Sequence, residues 1–320
     1  MYRSAQLAGY FALLLTAGAL LVGSLVDPLE MPAGTTGVQV GLVVTAAVAG
    51  LVEHRRSLGA FESDQPGFDR SDAVDGVAVV VGALATYALS VYAGFGPVLA
   101  SALVGLLAGL VVSEVGAPVY CGSFVGMASP GVFGSLEYVA LAGIVSGLAF
   151  AATSESFGGV GGKLGTLALF GCLTAGALVG LEYADPGAPE WEFLSLIAPV
   201  AAASAVATVV LSVRLEWGGV VGSGVVGVVA GIAFPLAFPA LGSTLAAVAF
   251  CASFVGMSSV DRLADEWQVA VAGALSGLVF LAVTPVFEGA GGKLGTIAFV
   301  SCIAILGALE VHEAAVEYVH

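Results

Sequence analysis

Lysine is nearly missing from this chain of 320 residues: Lys163 and Lys293 are the only two, beside six arginines. Charge of either sign is scarce, at 10% of residues, against about 25% in a soluble domain. No basic patch exists, which excludes a nucleic-acid partner. The three histidines do not cluster with one another or with cysteine. Cys121, Cys172, Cys251 and Cys302 form no C-x2-C pair and fall in apolar runs, so they read as small buried hydrophobes, and neither a metal nor a cofactor is expected. Acidic residues are absent from the middle of the apolar runs, and none is twinned with an acidic residue in the other half of the chain. A proton path built on paired carboxylates is therefore not visible.

What remains is apolar. Hydrophobic residues make up 59% of the chain and mean hydropathy is +1.05, which predicts an all-α polytopic membrane protein. The net charge of −15 comes mostly from solvated acidic segments such as 58–72 and 181–193. That balance is similar to the composition of proteins from extreme halophiles. An apolar run of about 20 residues crosses a bilayer, and runs near 6–26, 37–52, 76–93, 97–113, 117–132, 137–152, 164–181, 193–212, 218–237, 241–258, 268–285 and 295–311 give about 12 transmembrane helices. The first is expected to be retained, since Asp27-Pro28 follows it where a signal peptide would carry small residues.

The chain repeats itself. Cys121-Gly-Ser-Phe-Val-Gly-Met127 matches Cys251-Ala-Ser-Phe-Val-Gly-Met257 at an offset of 130, and GGKLGT occurs at 161–166 and again at 291–296 at the same offset. Upstream, 96–109 fits 218–231 at an offset of 122. The intervening stretches 131–140 and 261–270 have drifted apart, so the matching blocks stand out from their neighbours. Three parts are expected: 1–74, two N-terminal transmembrane helices and a cytoplasmic loop; 75–190, a first repeat of five helices; and 191–320, a second repeat of five helices with a short tail. Counting twelve spans from an inner N-terminus puts every basic residue except Lys293 on the cytoplasmic side, which favours an inverted 5+5 repeat over a parallel one.

Two paired motifs carry the functional expectation. Gly161, Gly162, Lys163 and Thr166, like Gly291, Gly292, Lys293 and Thr296, bring glycines, a cation and a hydroxyl to a helix start. There, unpaired N–H groups and the positive dipole end favour an anion. Neither copy is a Walker A loop or a G-x-G-x-x-G fingerprint, so nucleotide binding is not implied. The same letters also suit a tight joint whose lysine snorkels to headgroups. In CxSFVGM, Ser123, Ser253, Met127 and Met257 are candidates for lining a pathway, because hydroxyls and broken helix inside a bilayer need burial or water. Pro118 and Pro130 predict that the first copy is interrupted, while the second reads as a smooth span. Glycines one turn apart, such as Gly105 and Gly109 or Gly273 and Gly277, are helix-packing seams.

These features predict a multi-pass plasma-membrane transporter or channel for a small solute or ion, an anion or a neutral molecule, at the interface of two inverted repeats. An intramembrane scaffold subunit, or a lipid-acting enzyme, is the alternative; no nucleophile with a base supports catalysis. The expected partners are the lipid bilayer and the solute, with association between copies of the chain left open. If both GGKLGT segments head full-length spans, the lysines stand about a bilayer thickness apart. They approach one another only if the glycine loops dip inward.

Overall fold

The computed structural model describes residues 2–26, 35–62, 67–185, 187 and 189–319. Among them it forms twelve α-helices and no strand: α1 (Tyr2–Val26), α2 (Thr35–Glu62), α3 (Arg70–Tyr87), α4 (Pro97–Val111), α5 (Gly116–Val125), α6 (Leu136–Ala151), α7 (Lys163–Val179), α8 (Leu194–Val209), α9 (Gly219–Ala237), α10 (Gly242–Val255), α11 (Glu266–Ala282) and α12 (Lys293–Val319). The helix starts follow local chemistry. Asp69 caps α3 in a reciprocal capping box with Asp72. Pro97 opens α4 at the first helical position, where no N–H is needed.

Five stretches are long and apolar enough to cross a membrane: Tyr2–Leu25, Arg70–Tyr92, Trp191–Arg214, Gly219–Ala237 and Lys293–Tyr318. The remaining apolar helices are shorter. α5, with ten residues, is about 15 Å long, half the depth of a bilayer core. The expected run at 117–132 therefore ends early. So does the second copy, where a smooth span was expected: α10 stops at Val255, five residues after which the chain is still in turns. Both short helices end on a glycine. Gly126 and Gly256 sit at the two helix ends, and a Cβ on either would fall 2.3 Å from a carbonyl oxygen, that of Ala83 or Ala205. Each glycine admits a close approach of the α3 or α8 backbone at the point where the short helix ends.

Matched positions in the two halves adopt the same local structure. Wide π-turns finish α3 at Ala88–Tyr92 and α8 at Val210–Arg214, at the offset of 122. α3 packs on α5 and α6 as α8 packs on α10 and α11, and α4 packs on α9 across the middle. α1 and α2 lie outside this arrangement, against α7 and α12. α2 runs to Glu62, well past the expected apolar run, and includes His54.

α7 and α12 meet at the centre by their first two turns. The backbone of Gly162 contacts Ala298 and Phe299, Gly165 contacts Gly295, and Gly292 contacts Ala168 and Leu169. As one chain runs forward the other runs back, so the contact is antiparallel. The ends of the two glycine loops therefore come together.

Candidate solute pathway

Two loops frame the centre: loop 1 (152–162) before α7 and loop 2 (283–292) before α12. Each reaches across to the other half. Ser259 N–H donates to Gly159 O and Ser129 N–H to Gly289 O, both at 2.9 Å. Gly161 N–H donates to Ser258 Oγ at 3.0 Å. Gly161 faces the last carbonyls of α10, at Phe254 and Val255, and Gly291 those of α5, at Phe124 and Val125. The positive starts of α7 and α12 are thus each met by the negative end of the other half's short helix, α10 or α5. Gly162 and Gly292 take φ of 82° and 84° immediately before α7 and α12, a conformation glycine adopts without a Cβ clash.

Each lysine closes its own loop. Lys163 Nζ donates to Thr153 O. Lys293 Nζ donates to Thr284 O at 2.6 Å and to Glu288 Oε2 at 3.0 Å. Thr166 and Thr296 hydroxyls donate to Gly162 O and Gly292 O, each at 3.2 Å, inside the first turn. Cys121 and Cys251 brace the same turns, their thiols donating to Leu164 O and Leu294 O.

A cavity of about 320 Å³ opens beside loop 1, lined by Lys163, Gly161, Gly162, Thr153, Met257 and the rings of Phe124 and Phe254. A second, of about 580 Å³, opens beside loop 2, lined by Lys293, Gly292, Glu288, Thr284, Met127 and Ser129. Each cavity therefore takes its lysine from one half of the chain and its methionine from the other. Between α5 and α10 four buried rings pack together. Phe124 lies 4.6 Å from Phe254 and 4.5 Å from Tyr120, and Phe250 lies 4.6 Å from Phe254. Behind the rings, Ser101 and Ser123 bond at 2.8 Å, and Tyr120, Ser223 and Ser253 form a chain at 2.8 and 2.7 Å.

The sequence candidates thus divide. Lys163, Gly161, Gly162, Met257, Lys293, Gly292 and Met127 line cavities. Thr166, Thr296, Ser123 and Ser253 are fully buried with partners inside the protein. Gly291 is packed on the end of α5. Among the described residues no cluster of three metal-ligating side chains occurs.

Sequence reasoning missed the ring cluster, although Phe stands in both CxSFVGM copies. It also missed Glu53, whose carboxylate accepts from Phe157 N–H and pairs with Arg262 over loop 1. Phe157 and Phe287 had a visible signal: the same bulky residue four places before both GG pairs marks a shared backbone feature, and both have φ of 52°. Comparison of the chain with protein-family models, with curated proteins and with solved structures finds no match.

Proposed function

We propose that this protein carries a small solute, anionic or neutral, across the plasma membrane along the axis between two inverted five-helix repeats. The observation that carries the reading is the antiparallel meeting of α7 and α12, with a lysine-bearing cavity beside each helix start and a dry ring cluster near the first. Four helices, α8 to α11, separate α7 from α12 in the chain. If each crosses, α7 and α12 run oppositely, as they do where they touch; a re-entrant α10 would make them parallel.

The rings of Phe124 and Phe254 close the route in this conformation, since a hydrated solute cannot enter a packed apolar core. Movement of the short helices α5 and α10, which break at Gly126 and Gly256, opens it from one cavity or the other. The lysines sit at the rims, where a cation raises the local concentration of an anion or donates to a neutral carbonyl. Lys293 is already paired with Glu288, so an anion there competes with a carboxylate.

The test is flux in proteoliposomes over a panel of small anions and neutral solutes. At least one solute is expected to enter faster than in protein-free vesicles. Lys163→Ala and Lys293→Ala are expected to slow that flux about tenfold or more, the scale of one lost charge-assisted hydrogen bond. Unchanged flux in both variants would leave the glycine loops as joints only, and no flux for any solute would remove the transport reading.

A further inference from the structure

The two glycine loops are near copies in sequence and backbone, yet they are not held alike. Glu53, on α2 and outside both repeats, reaches loop 1. Its Oε1 accepts from Phe157 N–H at 2.7 Å, and it takes Arg262 in a two-pronged pair at 2.8 and 3.1 Å. Arg262, from the turn after α10, also donates through Nε to Gly158 O at 2.8 Å. The pair is largely buried, with side chains 6% and 14% exposed, at the edge of a cavity of about 260 Å³ that Arg56 and Asp261 also line. One carboxylate thus ties three things together: the N-terminal helix pair, the loop of the first repeat, and the second repeat.

α1 adds to the same grip. Tyr10 stacks on Phe157 at 5.8 Å and 10°. Gln6 donates to Ala151 O and to Ser154 Oγ and accepts from Glu155 N–H. On loop 2 the position equivalent to Arg262 is Val132, which packs on Gly289. Phe287 is met there by Tyr183, at 5.4 Å. The ion pair at loop 2, Lys293 with Glu288, lies within the loop and the helix it starts.

We infer that Glu53 forms a polar latch on loop 1 alone: it positions loop 1 over its cavity, and that cavity widens when the Glu53–Arg262 pair parts, whereas on loop 2 α1 packs Gly23 against Val286 and, among the described residues, sets no carboxylate on the loop backbone. This rests on the transport reading for its purpose but not for its test. Separating a buried pair, or removing one member, leaves an uncompensated charge, so the closed form is favoured strongly and side-specifically. Phe157 is held at a positive φ that a non-glycine residue adopts at a cost, which the Glu53 acceptor and the Tyr10 ring offset.

Two native thiols report on the two loops. Cys302 is fully buried with its Sγ 3.5 Å from Ser258 Oγ, the group that holds Gly161 of loop 1. Cys172 is its equivalent, fully buried beside Gly291 of loop 2. The full chain in lipid vesicles is treated with N-ethylmaleimide, and the modification rate of each cysteine is followed by peptide mass spectrometry. In Glu53→Gln, Cys302 is expected to react about tenfold faster or more and Cys172 at its original rate, as a local opening equilibrium shifts. Glu53→Gln/Arg262→Gln removes both charges and gives the same readout should the single variant not survive purification. Unchanged Cys302 reactivity overturns the latch. An equal rise at both cysteines overturns it too, because that reports general loosening, and so does failure of both variants to fold, which makes the pair merely structural. Flux failing for every solute while Cys302 responds removes the transport reading and leaves the latch standing.

Discussion

Gly165 of α7 and Gly295 of α12 touch backbone to backbone: a Cβ on either would stand 2.5 Å from the other's Cα. No neighbouring side chain can move aside to relieve this, because the obstacle is main chain. Gly165→Ala and Gly295→Ala are each expected to cost about 1–3 kcal/mol by forcing the helices apart. The two changes should combine non-additively, since they strain one contact. Gly158→Ala is the control. Its Cβ would meet nothing within 4 Å and its φ is not positive, so it should stay within about 0.5 kcal/mol of the parent. Thermal unfolding in detergent at fixed protein concentration measures all four.

Phe157 and Phe287 invert a familiar ranking. Glycine in ordered structure is usually less stable than alanine by about 0.5–1 kcal/mol, but both phenylalanines hold φ of 52°, where a Cβ costs about 1–2 kcal/mol. Removing the ring destabilises either way. Phe157→Gly should nevertheless be more stable than Phe157→Ala by about 1 kcal/mol, and the same order should hold at 287. Alanine variants that outlast the glycine variants would show that the backbone conformation is not as described.

Much of the architecture was legible because each signal was local or repeated. The apolar runs place most of the helices, with the ends of α2, α5 and α12 misplaced by seven residues or more, and the two motif pairs fall at equivalent points. What was hidden depends on contacts between segments far apart in the chain. The early end of α10 within 241–258 was hidden because Gly256 reads as neutral in hydropathy, whereas in the fold it stands at the helix end against the Ala205 carbonyl. The partner of Glu53 is 209 residues away, in the drifted stretch 261–270 where the repeat comparison sees only difference. That difference is the asymmetry between the loops. Ser123 and Ser253 stood out as polar groups in apolar runs, yet burial with a partner satisfies that signal as well as a solute does.

The ring cluster between α5 and α10 gives a third prediction. Phe124 and Phe254 are nearly fully buried and both line the loop 1 cavity. Truncating Phe254 to alanine removes a large core side chain, at about 3–5 kcal/mol. It also opens space toward the middle of the protein. Vesicles containing Phe254→Ala should leak small solutes faster than those containing the parent, while Phe299→Ala, a buried ring on α12 packed against Phe157, should destabilise without the leak. Equal permeability in the two variants would mean that the rings fill core and close no route.

Orientation across the membrane decides whether the halves are inverted, and the two loops offer equivalent exposed positions for the measurement. Gly158 is exposed, and the residue 130 places later is Glu288, whose side chain is 44% exposed at the rim of the other cavity. The four native cysteines are buried, so an impermeant maleimide should find little background. α7 and α12 start beside these positions and run antiparallel where they meet, and in the inverted arrangement each loop faces its own side. A thiol introduced by Gly158→Cys should be labelled from one face of oriented vesicles, and one introduced by Glu288→Cys from the opposite face. Labelling of both from a single face would require the crossing α7 and α12 to carry their loops to the same compartment. That outcome would leave an even number of crossings between the repeats and no shared axis for a solute to follow.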